Sequence, residues 1–290
     1  VTENALHNQL AQSLEQASRI LAAAGCEAPR LDSEVLLAHV LGRDRAWLYA
    51  HPEYVLSPTQ SAAYQSLMSR RAQREPVAYL THHREFYALD FFVTCDVLIP
   101  RPETEGLVER AIQWVKTSPT PGIVLDVGTG SGAIAVSLAV NLPGTHVVAT
   151  DTSATALAVA RYNAARHGVA NRVTPLQGDL LAPFRGPLGL VVANPPYLSQ
   201  AELAEAPPEV ARWEPRAALD GGPDGLDVIR RLLGMASGRL GPGAALLVEI
   251  GAGQGSDVLG LARGCFPGVT VEIARDYADR DRMLFVRFAR

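Results

Sequence analysis

Val124-Leu125-Asp126-Val127-Gly128-Thr129-Gly130-Ser131-Gly132-Ala133-Ile134 decides the fold of this 290-residue chain. A short apolar run of β-forming residues ends beside an acid, passes through alternating glycines and enters an apolar helix. Glycines let the backbone turn tightly and let a ligand approach it closely. Downstream, strand-like and helix-like stretches alternate. Strands are expected at 122–127, 145–150, 172–176, 188–193, 244–250, 269–274 and 282–289, with helices filling most gaps. Short, nearly all-apolar strands separated by helices imply a parallel sheet covered on both faces. The gap between the last two strands is too short for a helical crossover, so these two should pair antiparallel.

Upstream, residues 1–75 read as a small helical bundle. Val1 to Ile20 follows a helical pattern, and Leu10, Leu14, Ala17 and Leu21 recur at helical spacing. Asp32 is the expected N-cap of a second helix, and Ser57-Pro58 opens another that runs to about Arg74. Residues 76–102 change character. Phe86, Leu89, Phe91, Phe92, Val93, Val97 and Ile99 predict a β-hairpin linker, broken at Pro100 and Pro102. A helix from Glu103 to about Lys116 and a short linker, Ser118-Pro119-Thr120-Pro121, lead into the glycine loop. The expected division is a helical domain at 1–75, a hairpin linker at 76–102 and an α/β domain at 103–290.

Bulk composition narrows the function classes. Hydrophobic residues make up 48% and charged residues 19%, values of an ordinary globular protein. No apolar run approaches the ~18 residues that span a bilayer, and the N-terminus lacks the pattern of a signal peptide. The expected location is cytoplasmic, with no membrane partner. Cys26, Cys95 and Cys265 are far apart, so neither a disulfide framework nor a zinc knuckle is implied. The net charge of −4 argues against a dedicated duplex-DNA binder, although Arg70, Arg71 and Arg74 form a local basic cluster. His82 and His83 are adjacent, so their side chains diverge, and no third ligand stands at useful spacing; no metal is expected.

The glycine loop and the two strand ends that follow it suit a nucleoside cofactor. Thr150-Asp151 closes the second strand, where an acid accepts both hydroxyls of a ribose. Gly178-Asp179-Leu180 follows the third, where Asp179 can take an adenine amine and Leu180 offers a backbone donor and an apolar wall. The Gly-x-Gly-x-Gly spacing differs from the G-x-G-x-x-G of dinucleotide enzymes. Asp126 would oppose a pyrophosphate but suit the ammonium of a methionine moiety. These features point to S-adenosylmethionine, with S-adenosylhomocysteine as product, bound by Asp126, Gly128, Thr129, Gly130, Ser131, Gly132, Asp151, Asp179, Leu180 and Asn194. The sheet is then the methyltransferase variant of the doubly wound, Rossmann-like fold: seven strands, the last antiparallel.

The fourth strand ends in Asn194-Pro195-Pro196-Tyr197, at the carboxyl edge where open α/β sheets hold ligands. Neither proline has a backbone N–H. The Asn194 side chain and the Pro195 carbonyl can accept the two protons of a planar –NH2 group, while Tyr197 covers its flat face. Such a nitrogen is a poor nucleophile, and two acceptors on its hydrogens push density back onto it. Positioning is then the main catalytic contribution. Asn194, Pro195 and Tyr197 are the expected catalytic residues, and Asn194, Pro195, Pro196 and Tyr197 the substrate-binding set.

At these residues the chain resembles the HemK/PrmC family of protein-(glutamine-N5) methyltransferases. Val97-Leu98-Ile99-Pro100-Arg101-Pro102-Glu103-Thr104-Glu105 is similar to that family's linker signature. Asp126 to Ile134, Asn194 to Tyr197, Glu214 to Leu219 with Gly221 to Leu226, and Leu246 to Gly251 are similar to further family segments. The resemblance implies a helical N-terminal domain that helps to dock a class-1 peptide chain release factor. It also implies a catalytic domain that methylates the glutamine of that factor's Gly-Gly-Gln motif. One departure stands in the hairpin, where Phe86-Tyr87-Ala88-Leu89 carries Ala88 in place of the family's usual glycine. An adenine-N6 or guanine-N2 nucleic-acid methyltransferase would share the Asn-Pro-Pro-Tyr chemistry, and a non-catalytic binding module would share the fold. The helical domain shows no base-reading or aromatic stacking surface, so no direct nucleic-acid substrate is expected.

Overall fold

The structure is a computed structural model that describes residues 9–118 and 123–289. Expectations that fall on residues 1–8, 119–122 and 290 lie outside the described residues: the opening of the first helical pattern, most of the linker at Ser118 to Pro121, the first residue of the strand expected at 122–127, and the last residue of the α/β domain expected at 103–290. The chain divides into two compact units, one formed by Val1–His82 with Pro208–Trp213 and the other by His83–Pro207 with Glu214–Arg290.

The first unit is helical: α1 (Gln9–Ala23), α2 (Pro29–Leu41), α3 (Arg45–Ala50), α4 (Pro58–Ala72) and α5 (Val77–Thr81). Leu10, Leu14, Ala17 and Leu21 from α1 meet Leu36 and Leu37 from α2, Leu48 from α3, and Tyr64 and Met68 from α4. Ser57 caps α4 with a reciprocal capping box to Gln60, and Pro58 fills the first turn. Asp32 is not the cap expected for α2: Ala28 holds that position and Pro29 begins the helix. Asp32 instead accepts from Arg71 Nε at 2.8 Å.

The expected linker begins as helix, because Leu80 of α5 is buried in the core of the first unit. A later segment, α10 (Pro208–Trp213), also belongs to this unit. Its Glu209 accepts from Arg71 Nη2 at 2.9 Å and Arg74 Nε at 2.6 Å. Arg70 pairs with Glu75. The arginine cluster noted in the sequence is therefore neutralised within its own unit.

The second unit opens with a small hairpin, β1 (Arg84–Phe86) and β2 (Leu89–Phe91), much shorter than 76–102 suggested. Its two-residue turn puts Tyr87 at φ 51° and Ala88 at φ 57°. The backbone N–H of Tyr87 donates to Glu105 and that of Ala88 to Glu85, each at 2.9 Å. Then follow α6 (Glu105–Thr117), β3 (Val124–Val127), α7 (Ala133–Asn141), β4 (Val147–Asp151), α8 (Ala154–Arg166), β5 (Val173–Gln177) and β6 (Leu188–Ala193). Helix α9 (Gln200–Glu205) precedes α10, and α11 (Asp227–Ala236), β7 (Leu240–Glu249), α12 (Gly255–Cys265), β8 (Thr270–Arg275) and β9 (Asp281–Arg287) complete the chain.

Seven strands form one sheet in the order β5-β4-β3-β6-β7-β9-β8. Strands β3 to β7 run parallel, and β9 lies antiparallel between β7 and β8. Strand order reverses between β3 and β6, which opens a crevice at their carboxyl ends. Beneath it, Leu125, Val191, Leu246 and Val248 are fully buried against Ile229, Leu232 and Val258 of the covering helices. Truncating such a leucine to alanine costs about 2–5 kcal/mol, so the strand ends that carry the site are held rigidly.

Candidate active site

Two hollows meet at the switch between β3 and β6. The larger has a volume of about 460 Å³, with Gly128, Gly130, Asp151, Asp179, Leu180, Asn194 and Pro196 in its wall. The smaller, about 50 Å³, lies between Pro100, Arg101 and Thr104 on one side and Gly128 to Ser131 on the other. Asn194 borders both.

The glycine loop wraps its amides inward. Gly128 and Thr129 donate their N–H groups to Thr150 O at 2.9 and 2.8 Å, and Gly132 donates to Thr129 O. Gly130 N donates to Asp151 Oδ2 at 2.9 Å. A pyrophosphate site needs such amides turned toward the ligand; here those of Gly128, Thr129 and Gly130 are spent on β4. Gly132 stands at φ +81°, and a Cβ there would lie 3.1 Å from Ala160 Cβ, so its role is close packing of the loop on α8.

Asp126 is not among the residues that line either hollow. It is fully buried and accepts from Thr129 Oγ1 at 2.6 Å and Ala135 N at 3.0 Å. Those bonds tie the loop to the first turn of α7. Burial pushes its pKa up to about 7, with the Asp151 charge adding to the rise. Its other oxygen, Oδ1, is buried and has no hydrogen-bond partner among the described residues.

Asp151 lines the larger hollow while its carboxylate holds Gly130 N and Ser153 N. It remains an acceptor-only group with lone pairs to spare for a diol. Asp179 also lines the hollow, and its carboxylate pairs with Arg231. Leu180 adopts φ 50°, which turns the chain at that wall.

At the end of β6, Asn194 Nδ2 donates to Thr104 Oγ1 at 3.1 Å. Pro195 is buried and Pro196 lines the larger hollow. Tyr197 OH donates to Glu249 Oε1 at 3.4 Å. Burial and the Glu249 charge push the Tyr197 pKa up to about 12, so the hydroxyl stays a donor. Burial likewise pushes Glu249 up to about 7.

Five residues that supply this framework are not among the site residues that the sequence implies. Thr104 meets Asn194. Gln254 Nε2 donates to Tyr197 O at 2.9 Å and to Gly225 O at 3.3 Å. Gly225 allows that approach, because a Cβ there would stand 2.3 Å from Tyr197 O. Asn163, fully buried on α8, donates to Ser131 O and Phe92 O and accepts from Phe92 N, tying the residue that follows the hairpin to the glycine loop. A polar residue on an otherwise apolar helix face was its one visible signal. Glu214, buried, accepts from Ile99 N and Arg101.

Known proteins are similar in sequence over nearly the whole chain. Residues 12–81 match the PrmC N-terminal domain and residues 111–209 the Methyltransferase small domain. A protein of Moorella thermoacetica named release factor glutamine methyltransferase is 50% identical over 274 residues, covering 94% of this chain and 96% of its own. One of the same name from Geobacter sulfurreducens is 47% identical over 242 residues, covering 83% and 84%. Among solved structures, the hMettl16 catalytic domain in complex with MAT2A 3'UTR hairpin 6 aligns with a TM-score of 0.55 at 19% identity, over 76% of this chain and 82% of that one. A methyltransferase from Pyrococcus furiosus aligns with a TM-score of 0.51 at 17% identity, over 77% and 99%. These two show the shared class I methyltransferase fold. At 50% identity across almost the full length of both chains, this chain belongs to the release factor glutamine methyltransferase family.

Proposed function

We propose that this chain transfers a methyl group from S-adenosylmethionine to the side-chain amide nitrogen (N5) of the glutamine in the Gly-Gly-Gln motif of class-1 peptide chain release factors. The observation that carries the reading is the position of Asn194, at the carboxyl end of β6 and in the wall of both hollows. Family membership supplies the substrate class.

The larger hollow fits the cofactor. Asp151 offers a carboxylate to a ribose diol, Gly128 and Gly130 allow close backbone approach, and Leu180 with Pro196 gives an apolar wall. When bound there, S-adenosylmethionine supplies a methyl group on a positively charged sulfur. The protein's task is then to present the acceptor nitrogen. Asn194 Oδ1 and the Pro195 carbonyl accept the two amide protons, and Tyr197 covers the planar group. As the new N–C bond forms and the S–C bond breaks, one amide proton leaves to water or to an adjacent acceptor. S-adenosylhomocysteine is the second product. Orientation and local acceptors supply the rate, without a covalent enzyme intermediate.

The same reading gives the helical unit a part in docking the release factor. It makes the acceptor a protein rather than a nucleic acid and places the reaction in the cytoplasm, where translation ends. Among the described residues no helix is long and apolar enough to cross a membrane. The test is methyl transfer from labelled S-adenosylmethionine to a purified release factor, to the same factor with its Gly-Gly-Gln glutamine substituted, and to duplex DNA. Label on the intact factor alone supports the proposal. Label on DNA alone, or on the glutamine-substituted factor, overturns it.

A further inference from the structure

A main-chain carbonyl takes its direction from the backbone torsions, and no change of side-chain rotamer can correct it. The acceptor reading uses one such oxygen, on Pro195. Asn194-Pro195-Pro196-Tyr197 leaves the end of β6 with two prolines in succession. Each ring locks φ at about −65°, and neither residue has an N–H to give. The stretch therefore cannot be anchored by the ladder bonds that hold β6. Its remaining main-chain freedom lies in ψ, and that freedom ends where the chain is next held, at Tyr197.

The group that holds it is Gln254, on the turn between β7 and α12. Its Nε2 donates to Tyr197 O at 2.9 Å and to Gly225 O at 3.3 Å, and its Oε1 accepts from Gly251 N at 2.9 Å. A primary amide has two N–H donors at one end and an acceptor at the other. Here both ends are engaged, and the orientation is forced. Flipped, the amide would set Oε1 against two carbonyl oxygens and Nε2 against an N–H. Gln254 N donates to Gly251 O at 3.0 Å and closes the turn that carries the side chain. The opposite wall is Gly225, at φ +77°, where a Cβ would lie 2.3 Å from Tyr197 O and 2.7 Å from Gln254 Nε2. Gln254 and Gly225 precede α12 and α11, whose Val258, Ile229 and Leu232 are fully buried against the sheet. The clamp is thus built on rigid elements.

We infer that Gln254 is a positioning residue for methyl transfer: its side-chain amide fixes the Tyr197 carbonyl, and through it the directions of the Pro195 carbonyl and the Tyr197 ring that meet the acceptor amide. This inference rests on the acceptor roles proposed above for Pro195 and Tyr197. Gln254 is not among the residues that line either hollow, so it acts through the motif and not on substrate or cofactor.

The chain beyond the motif has its own support. Leu198 N donates to Leu219 O at 3.0 Å, and Leu198 O accepts from Gly221 N at 2.9 Å. Losing the Gln254 bonds therefore loosens the acceptor motif without releasing the loop that follows it. The cost falls on alignment, because an error on the order of 1 Å at the acceptor is enough to slow a reaction that depends on orientation.

The experiment compares wild type with Gln254→Met and Gln254→Glu, using full-length protein and intact release factor at about pH 8, where a carboxyl is ionised. The first substitution keeps the length and removes the donors. The second keeps the shape and the bond from Gly251 N but turns an oxygen toward the two carbonyls; should it fail to fold, Gln254→Met carries the test. kcat, KM, cofactor affinity and unfolding midpoint are recorded. We expect each variant to lose about tenfold in kcat, the loss one orienting hydrogen bond supports. KM and cofactor affinity should stay within about twofold, since the rest of the docking surface and the larger hollow are unaltered. A contact that only supports the fold would lower the unfolding midpoint and leave kcat unchanged. In ligand-free protein carrying 13C at its tyrosine carbonyls, the Tyr197 signal, identified by its loss in Tyr197→Phe, should move in both variants as its hydrogen bond is lost. Unchanged kcat in the folded variants, a loss confined to KM or cofactor affinity, or a Tyr197 carbonyl signal that stays in place would overturn the clamp. If wild type methylates no release factor, the proposed function fails instead, and the carbonyl signal still judges the clamp.

Discussion

Arg101 donates from Nη2 to Glu214 Oε1 at 2.5 Å, and Glu214 Oε2 accepts from Ile99 N at 3.2 Å. Two segments more than a hundred residues apart are thereby fastened by one buried carboxylate. Removing the guanidinium leaves that charge without its cationic partner. Because Arg101 is itself 30% exposed, the cost falls below that of a fully buried pair. Arg101→Ala should lower unfolding stability by about 2 kcal/mol, and pairing it with Glu214→Gln should recover part of the loss. Denaturant titration of the two variants measures this, and equal stability of Arg101→Ala and wild type would show that the pair does not contribute.

Asp151 combines two tasks, holding Gly130 N and facing the larger hollow. Asp151→Ala should weaken S-adenosylmethionine binding by about tenfold or more, since a diol loses its acceptor. Calorimetric titration reads the affinity directly. An unchanged Kd would show that the ribose is held by another group.

Asp126 makes stability depend on pH in the unusual direction. Its carboxyl titrates near 3.8 when unfolded and at about 7 when folded. Between those values the native state binds more protons than the unfolded state, so this group's contribution falls as pH rises. It is fully present below about pH 4 and lost above about pH 7. Asp126→Asn removes that titration. From pH 5 to 8, wild type should lose about 2–3 kcal/mol more than the variant. Chemical denaturation at the two pH values is the measurement, and parallel losses would place the titration on another group.

Ala88 sits at φ 57°, which an L-residue reaches only with strain and a glycine reaches freely. Ala88→Gly should stabilise the protein by about 0.5–1 kcal/mol, the strain relief outweighing the added freedom of the unfolded chain. A shift of the unfolding midpoint to higher denaturant is expected, and a shift to lower denaturant would contradict the turn geometry.

The sheet was legible because its strands announce themselves. Val124 to Val127 and Leu188 to Ala193 are apolar, lie beside turn residues and occur at the spacing of parallel crossovers. The strand-end residues Asp151 and Asn194 were legible for the same reason, since topology alone sends parallel strand ends to one edge. What escaped was settled by partners far along the chain. Val77 to Thr81 has β-forming composition, but burial of Leu80 among the first helices makes it helical. Asp32 has the residue type of a cap, yet Arg71 claims it. Thr104, Asn163 and Gln254 each hold a site segment across more than thirty residues of sequence. No local pattern encodes such pairings.

The return of α10 to the helical unit has a consequence for synthesis. Translation delivers residues in order, and Glu209 emerges long after Arg71 and Arg74. At ~5–20 residues per second the delay is on the order of ten seconds. Through that interval Arg71, deeply buried in the finished protein, has Asp32 as its one carboxylate partner among the described residues. Strands β3 to β6 leave the ribosome before the helical unit is closed. The N-terminal helices are thus a discontinuous folding unit, whose last piece arrives from inside the catalytic sequence.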